Sequence, residues 1–320
     1  MKPKTLKPIT PATKDILIAK KAISQIFYST IYYPLLKALG IDDHDIKLNN
    51  ANDPIIEKIQ TGKIVYNGQE FAGNFDSRTS KAIKSMGGVF DKRKHTYKIL
   101  EGKLPTGVRT AVAVQRINTI VKRERVLKTI EEINIKFADI NHDFRAIATD
   151  ATQTTDNKLN GQLADKLVVV PEITKYTADR LKTEYSESIN LAIKNFTQKE
   201  TEKLREIAEQ NVFEGFRADK LEEAIKQRFG ISQRRAKFIA SQETQLLTAK
   251  YHAAKCVQAG MTKYIWKTMG DSHVRPDHAR LNNLEFDYNN PPMTDLETKK
   301  HNNPGEDYNC RCYSLTLVDE

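Results

Sequence analysis

The chain has 320 residues, room for more than one domain, because single cores rarely grow much past about 250 residues. Its 39% hydrophobic and 29% charged content exclude a fibrous or membrane-embedded class; no stretch approaches the ~20 apolar residues of a spanning helix, and Met1 to Pro8 lacks the apolar core of a signal peptide. The net charge of +10 points to an acidic partner, most commonly nucleic acid, while three cysteines, an odd number, argue against a secreted disulfide scaffold and for a reducing cytoplasm.

After a proline-bearing leader, residues 12–39 predict a helix. Ile16, Ala19, Ile23, Ile26, Phe27 and Thr30 recur every three or four positions, and Gly40 is a natural stop. Tyr28, Tyr32 and Tyr33 read as packed core or a partner-facing stripe. Residues 55–100 read as a small α/β unit: Lys63 to Tyr66 and Phe71 flank the hairpin dipeptide Asn67-Gly68, Ser77 to Met86 predicts a helix stopped by Gly87-Gly88, and Thr96 to Ile99 predicts a strand. A long helix is expected from Gly107 to Ile147. Its segment Arg116, Lys122, Arg123, Arg125 and Lys128 is either a solvated face or a phosphate-contacting one.

Ala148 to Gly161, rich in Thr, Asp and Asn, breaks the periodic pattern and is expected to be a linker or domain boundary. An amphipathic helix follows from Ile173 to Phe196. Thr197 to Glu200 and Asp219 to Glu222 each fit a capping box, the second opening a helix that stops at Gly230. Ser232 is expected to cap another helix running towards Gly260. The turn from Phe229 to Ser232, followed by Arg234 and Lys237, suits an ordinary αα turn or a helix-hairpin-helix, whose helix amino terminus faces DNA phosphate. Two strands are then expected, Tyr264 to Thr268 and Tyr313 to Leu317, the latter with Tyr313, Leu315 and Leu317 as its apolar face and Cys310 and Cys312 on one side.

The ordered set Trp266, Asp271, Val274-Arg275, His278, Leu281 and Asn309-Cys310-Arg311-Cys312 resembles the closing motif of tailed-bacteriophage minor head proteins, the Mu F-like head morphogenesis family. Arg235 to Thr244 is similar to that family's Arg-Ala-x-x-Ile-Ala-x-x-Glu-Thr helix. The resemblance covers roughly residues 174–318. Where the family often has Asp-Gly after the His-x-x-Leu step this chain has Asn282-Asn283, and where it has His-Pro before the cysteines this chain has Asp307-Tyr308. The resemblance implies a minor capsid protein without catalysis, associated with the portal inside the head. Its implied partners are the portal protein, double-stranded DNA, and scaffold or major capsid protein, with no membrane in the assembled head. The implied location is the capsid interior of the virion, after synthesis in the host cytoplasm.

The residues of the closing motif leave several chemistries open. A metal-dependent nuclease would use His278 or His273 to activate water beside Asp271 and Asp277. A structural zinc would take His278, Cys310, Cys312 and one of His273 or His301, although Cys-x-Cys is tighter than the usual ligand gap. The plainest expectation uses no cofactor: Asp271, Arg275 and His278 form a buried polar network with Arg311 on its outer side, over a core of Trp266, Cys310 and Cys312. A free-standing DNA-binding protein using the Gly230 hairpin and the basic helix is a further alternative. Candidate DNA contacts are Arg116, Lys122, Arg123, Arg125, Lys128, Arg234 and Lys237.

The expected fold is α+β and mainly helical, a helical bundle with a small amino-terminal α/β unit and a small carboxy-terminal β-containing domain. Expected boundaries are 1–50 (amino-terminal helical region), 51–110 (α/β unit), 111–150 (long helix), 151–172 (linker), 173–262 (bundle) and 263–320 (closing motif).

Overall fold

A computed structural model describes residues 4–39, 53–139, 141–213 and 218–318. The chain is mainly helical α+β and divides into two compact units, residues 1–24, 141–194 and 233–320 forming one and residues 25–140 and 195–232 the other. This partition cuts across the expected linear boundaries, because each unit is assembled from segments far apart in sequence. Gly40, expected to stop the first helix, lies outside the described residues.

The opening helix α1 (Thr13–Phe27) continues through a π-helical turn at Tyr28–Tyr32 into α2 (Tyr33–Ala38). In the second unit, α3 (Pro54–Gln60) begins on the Asp53 side chain, which accepts the amides of Ile55 and Ile56. Strands β1 (Ile64–Tyr66) and β2 (Glu70–Gly73) form the expected hairpin, α4 (Ser77–Ser85) follows, and β3 (Val89–Asp91) and β4 (Thr96–Lys98) complete an antiparallel sheet in the order β1-β2-β4-β3. Ile55, Ile59, Ile64, Phe71, Ile83 and Val108 belong to its core, the last from α5 (Thr106–Asp139). The tyrosine group is core at Tyr32 and exposed at Tyr28 and Tyr33. Phe27 packs on Phe196, and Tyr28 and Tyr32 on Phe229.

The segment expected to be a linker is instead helix α6 (Arg145–Leu163). Its threonines do not compete with the helix, because Thr149, Thr154 and Thr155 donate their hydroxyls to the carbonyls four residues back. Ala148, Ala151, Thr155, Leu159 and Leu163 supply a buried stripe of small and apolar side chains that a hydrophobicity pattern renders faintly.

Helix α7 (Lys175–Phe213) runs straight through the expected capping box. Thr197 and Glu200 are mid-helix and buried, because Glu200 finds its partners in tertiary structure and not in exposed amides. Helix α8 (Ala218–Gln258) likewise passes through Gly230 and Ser232 without a turn, and the Ser232 hydroxyl donates to the carbonyl of Phe229. A helical glycine costs only about 1 kcal/mol relative to alanine, which packing of a long helix readily offsets. The helix-hairpin-helix geometry is therefore absent, and with it the amide cradle that the DNA-binding alternative placed at Gly230.

At the end of the first unit, β5 (Lys263–Lys267) is followed by the four-residue helix α9 (Pro276–Ala279), β6 (Glu285–Asp287), the short pair β7 (Met293–Asp295) and β8 (Lys300–His301), and β9 (Tyr313–Thr316). The antiparallel order is β6-β5-β9, with Trp266 opposite Ser314 and Tyr264 opposite Thr316. The inward face of β9 is the polar one. Cys312 and Thr316 are buried on that face, and Thr316 and the half-buried Ser314 meet the Tyr288 hydroxyl at 2.7 and 2.8 Å, whereas Tyr313 and Leu315 on the other face are both half-buried. The expected apolar face is reversed because a buried tyrosine hydroxyl offers these side chains hydrogen bonds.

Candidate functional site: the His278 and Cys310–Cys312 cluster

Strand β5 ends beside a turn at Gly270 to Val274 that leads into α9. Pro276 occupies the first turn of this helix, where its missing N–H costs nothing, and the Arg275 carbonyl accepts the amides of His278 and Ala279. His278 thereby points inward, 3% exposed, with its ring nearly perpendicular to the buried Trp266 indole at 5.5 Å. From the other side comes the turn Asp307 to Cys310, closed by the Cys310 amide on the Asp307 carbonyl and by Asn309 in a left-handed conformation at φ 53°.

These two pieces converge on one imidazole. Nε2 of His278 lies 3.2 Å from Oδ2 of Asp307, whose Oδ1 accepts from Asn302 at 2.7 Å. Nδ1 of His278 lies 3.6 Å from Sγ of Cys310 and 3.6 Å from Sγ of Cys312. The Cys312 amide donates to Cys310 Sγ at 3.4 Å. Asp307 first, and Cys310 next, hold the imidazolium, raising His278 to about 9. Cys312 and then His278 favour the Cys310 thiolate, drawing it down to about 5, and the same pairing pushes Cys312 up. Trp266, Cys310 and Cys312 are all buried, and the cysteines are free thiols.

The other residues of the motif form separate links and no single buried network. Asp271 and Arg311 pair at 2.7 Å on the surface, Arg275 donates to the Tyr308 carbonyl and is itself exposed, and His278 is matched with Asp307, a residue the sequence reading had not singled out as a partner. Asp277 accepts the Leu296 amide, fastening α9 to the loop after β7. His273 is exposed and its amide bonds Asp271, while His301 Nδ1 meets the Pro291 carbonyl. Among the described residues neither histidine joins the cluster of His278, Cys310 and Cys312. For water activation, His278 has both ring nitrogens engaged, and Asp271 is held by Arg311.

The candidate DNA contacts fall in different units. On α5, Arg116 reaches Glu101 and the Tyr66 carbonyl, Arg123 pairs with Glu124, Lys122 is half-buried, and Arg125 and Lys128 are exposed. On α8, Arg234 and Lys237 are exposed.

Sequence reasoning missed a second buried polar group behind β9. His252 lies with its Nε2 3.7 Å from Cys256 Sγ and its Nδ1 3.4 Å from the Tyr288 hydroxyl and 3.3 Å from Ser314, and burial lowers it to about 4. Cys256 is pushed up to about 12, chiefly by burial. A single histidine on a helix carries no pattern that would have marked it.

Residues 202–315, which take in the last third of α7, all of α8 and the cluster-bearing motif, match the family described as Phage Mu protein F like protein, a family whose description supports a phage head protein. The chain is also 26% identical over 174 residues to an uncharacterized protein of Haemophilus influenzae, an alignment covering 54% of this chain. It spans about a third of that relative, 35% of its length. No solved structure matches the chain.

Proposed function

We propose that this protein is a minor head component of a tailed phage that joins the portal inside the capsid during head assembly and contacts the packaged DNA. The observation that carries the reading is the family match over residues 202–315, which includes the entire His278 and Cys310–Cys312 motif. On this reading the motif is a structural closure and the protein catalyses nothing. The exposed Arg234 and Lys237 of α8, with Arg125 and Lys128 of α5, are its DNA-facing cations. No helix among the described residues is long and apolar enough to cross a membrane, in keeping with a protein packed inside a head.

The test is co-expression of the tagged chain with the portal protein of the same phage, followed by affinity purification and sizing. A stable complex of defined stoichiometry is expected. A chain that stays free of portal, is missing from purified heads and cleaves DNA in a divalent-metal-dependent manner would overturn the reading in favour of the nuclease.

A further inference from the structure

We propose that His278, Cys310 and Cys312 hold a zinc ion through one imidazole nitrogen and two thiolates, with Asp307 as the positioning residue that turns the imidazole towards it. The inference stands on the geometry of the cluster and does not depend on a role in the phage head.

Three observations carry it. The first is distance. With zinc–nitrogen near 2.1 Å and zinc–sulfur near 2.3 Å, a tetrahedral ion sets nitrogen and sulfur ligands roughly 3.6 Å apart, and both nitrogen–sulfur separations here are 3.6 Å. All three donor atoms lie within 4.8 Å of one another. A hydrogen bond accounts for this less well, because a single proton on Nδ1 cannot point at two sulfurs.

The second is the outer side of the ring. A histidine that ligates through one nitrogen commonly donates its other N–H to a carboxylate, which fixes the tautomer and makes the ligating nitrogen more basic. Asp307 Oδ2 sits 3.2 Å from Nε2 and is itself held by Asn302, so that Nε2 keeps its proton and Nδ1, once deprotonated by the metal, turns its lone pair towards the sulfurs. The amide of Cys312 on Cys310 Sγ supports a charged sulfur in the same way that backbone amides support metal-bound thiolates. Binding would release the Cys312 thiol proton and the Nδ1 proton of His278 to solvent, and the soft sulfur and imidazole set selects zinc over the oxygen-seeking magnesium or calcium.

The third is what the cluster joins. Between β5 and β9 the chain builds only a four-residue helix, two strands of three residues and one of two, too little to bury a core of its own. A metal that ties α9 to the turn before β9 supplies the missing cross-link. His278, Cys310 and Cys312 all line a cavity of about 190 Å³ that also touches Met269 and His273, so a fourth ligand has room to enter from solvent.

The test uses the full chain purified under reducing conditions without chelator. Elemental analysis is expected to find zinc at one equivalent per chain. After removal, cobalt is expected to restore a thiolate-to-metal charge-transfer band and the intense visible absorption of a tetrahedral ion. Cys312→Ser and His278→Gln should lose the metal, Asp307→Asn should bind it about 10- to 100-fold more weakly, and Cys256→Ser should bind as the parent does. The proposal is overturned if folded parent protein with its thiols titrating as reduced takes up neither zinc nor cobalt, if Cys312→Ser keeps full metal content, or if freshly purified protein carries a Cys310–Cys312 disulfide. The cobalt titration of the parent decides the matter even where a variant fails to fold.

Discussion

Glu200 grips Arg228 with both carboxylate oxygens, accepting Nε at 2.8 Å and Nη2 at 2.5 Å, and it accepts the Tyr32 hydroxyl at 2.9 Å on one of the same oxygens. The carboxylate is 1% exposed, so these partners stand where water would. A buried carboxylate with two such donors is costly to remove, since the arginine and the tyrosine lose their acceptor together. Burial, and then Glu200, keeps the Tyr32 phenol firmly protonated, as its role of donor requires.

Glu200→Ala is expected to destabilise the second unit by about 3 kcal/mol or more, and Glu200→Gln by less because the amide oxygen still accepts from Tyr32. Urea unfolding followed by tyrosine fluorescence measures both. Equal midpoints for the alanine variant and the parent would show that the pair contributes nothing.

His252 predicts an acid sensitivity with a definite sign. Its folded value of about 4 lies below the 6.5 of a free histidine because burial disfavours the imidazolium, and its neighbours Cys256 and Tyr288 supply no negative charge near neutrality. The unfolded chain therefore takes up the proton first as pH falls. The stabilisation is complete above pH 6.5 and is lost as pH drops towards 4, amounting to about 2 kcal/mol by pH 5. Buried Glu243 and Glu306, whose values are raised by burial, act in the opposite direction, so the parent must be compared with His252→Gln. The parent should lose that much more stability than the variant between pH 7 and pH 5 in parallel urea titrations. Identical pH slopes would contradict it.

Two glycines with positive φ separate conformational strain from collision. At Gly73, φ is 133° and an added Cβ would stand 2.2 Å from the Lys63 carbonyl oxygen across the hairpin; at Gly62, φ is 71° with open space around it. Gly62→Ala should cost about 1 kcal/mol. Gly73→Ala should lower the melting temperature far more and disrupt the β1–β2 pairing, which hydrogen exchange at Tyr66 and Phe71 would report. A Gly73→Ala variant as stable as Gly62→Ala would mean that the hairpin backbone yields freely.

Contact with DNA through phosphates carries a salt signature. If Arg234 and Lys237 each meet a phosphate, replacing both by Ala should reduce the slope of log affinity against log salt by about 2, with little dependence on DNA sequence. Fluorescence anisotropy on a duplex across a salt series measures it. An unchanged slope would remove α8 from the interface.

Much of this protein was legible in the sequence alone. The α/β unit follows from local rules, because an Asn-Gly hairpin, a helix stopped by glycine and a β-branched strand each lie within a few residues of the signals that specify them. The closing motif was likewise readable as an ordered set of residues, and the family match falls on it. Punctuation within long helices was misleading. Thr197 to Glu200 and Gly230 to Ser232 have the residue types of helix ends, yet α7 and α8 run through them, because partners distant in sequence satisfy Glu200 and packing outweighs the modest cost of one glycine. The threonine-rich stretch became α6 for the same reason: its burial pattern exists only once other segments cover it.

What only the tertiary structure decided is pairing. The sequence by itself placed His278 and the two cysteines in one motif, but nothing in their spacing says that Nδ1 faces both sulfurs, that Asp307 takes the other side of the ring, or that Asp271 instead turns outward to Arg311. Nor could it show that the inward face of β9 is its polar one, or that His252 is buried behind it. Local propensity sets which backbone each residue adopts; which donor meets which acceptor is set by side chains approaching from segments tens of residues apart, and that is determined only when the units close.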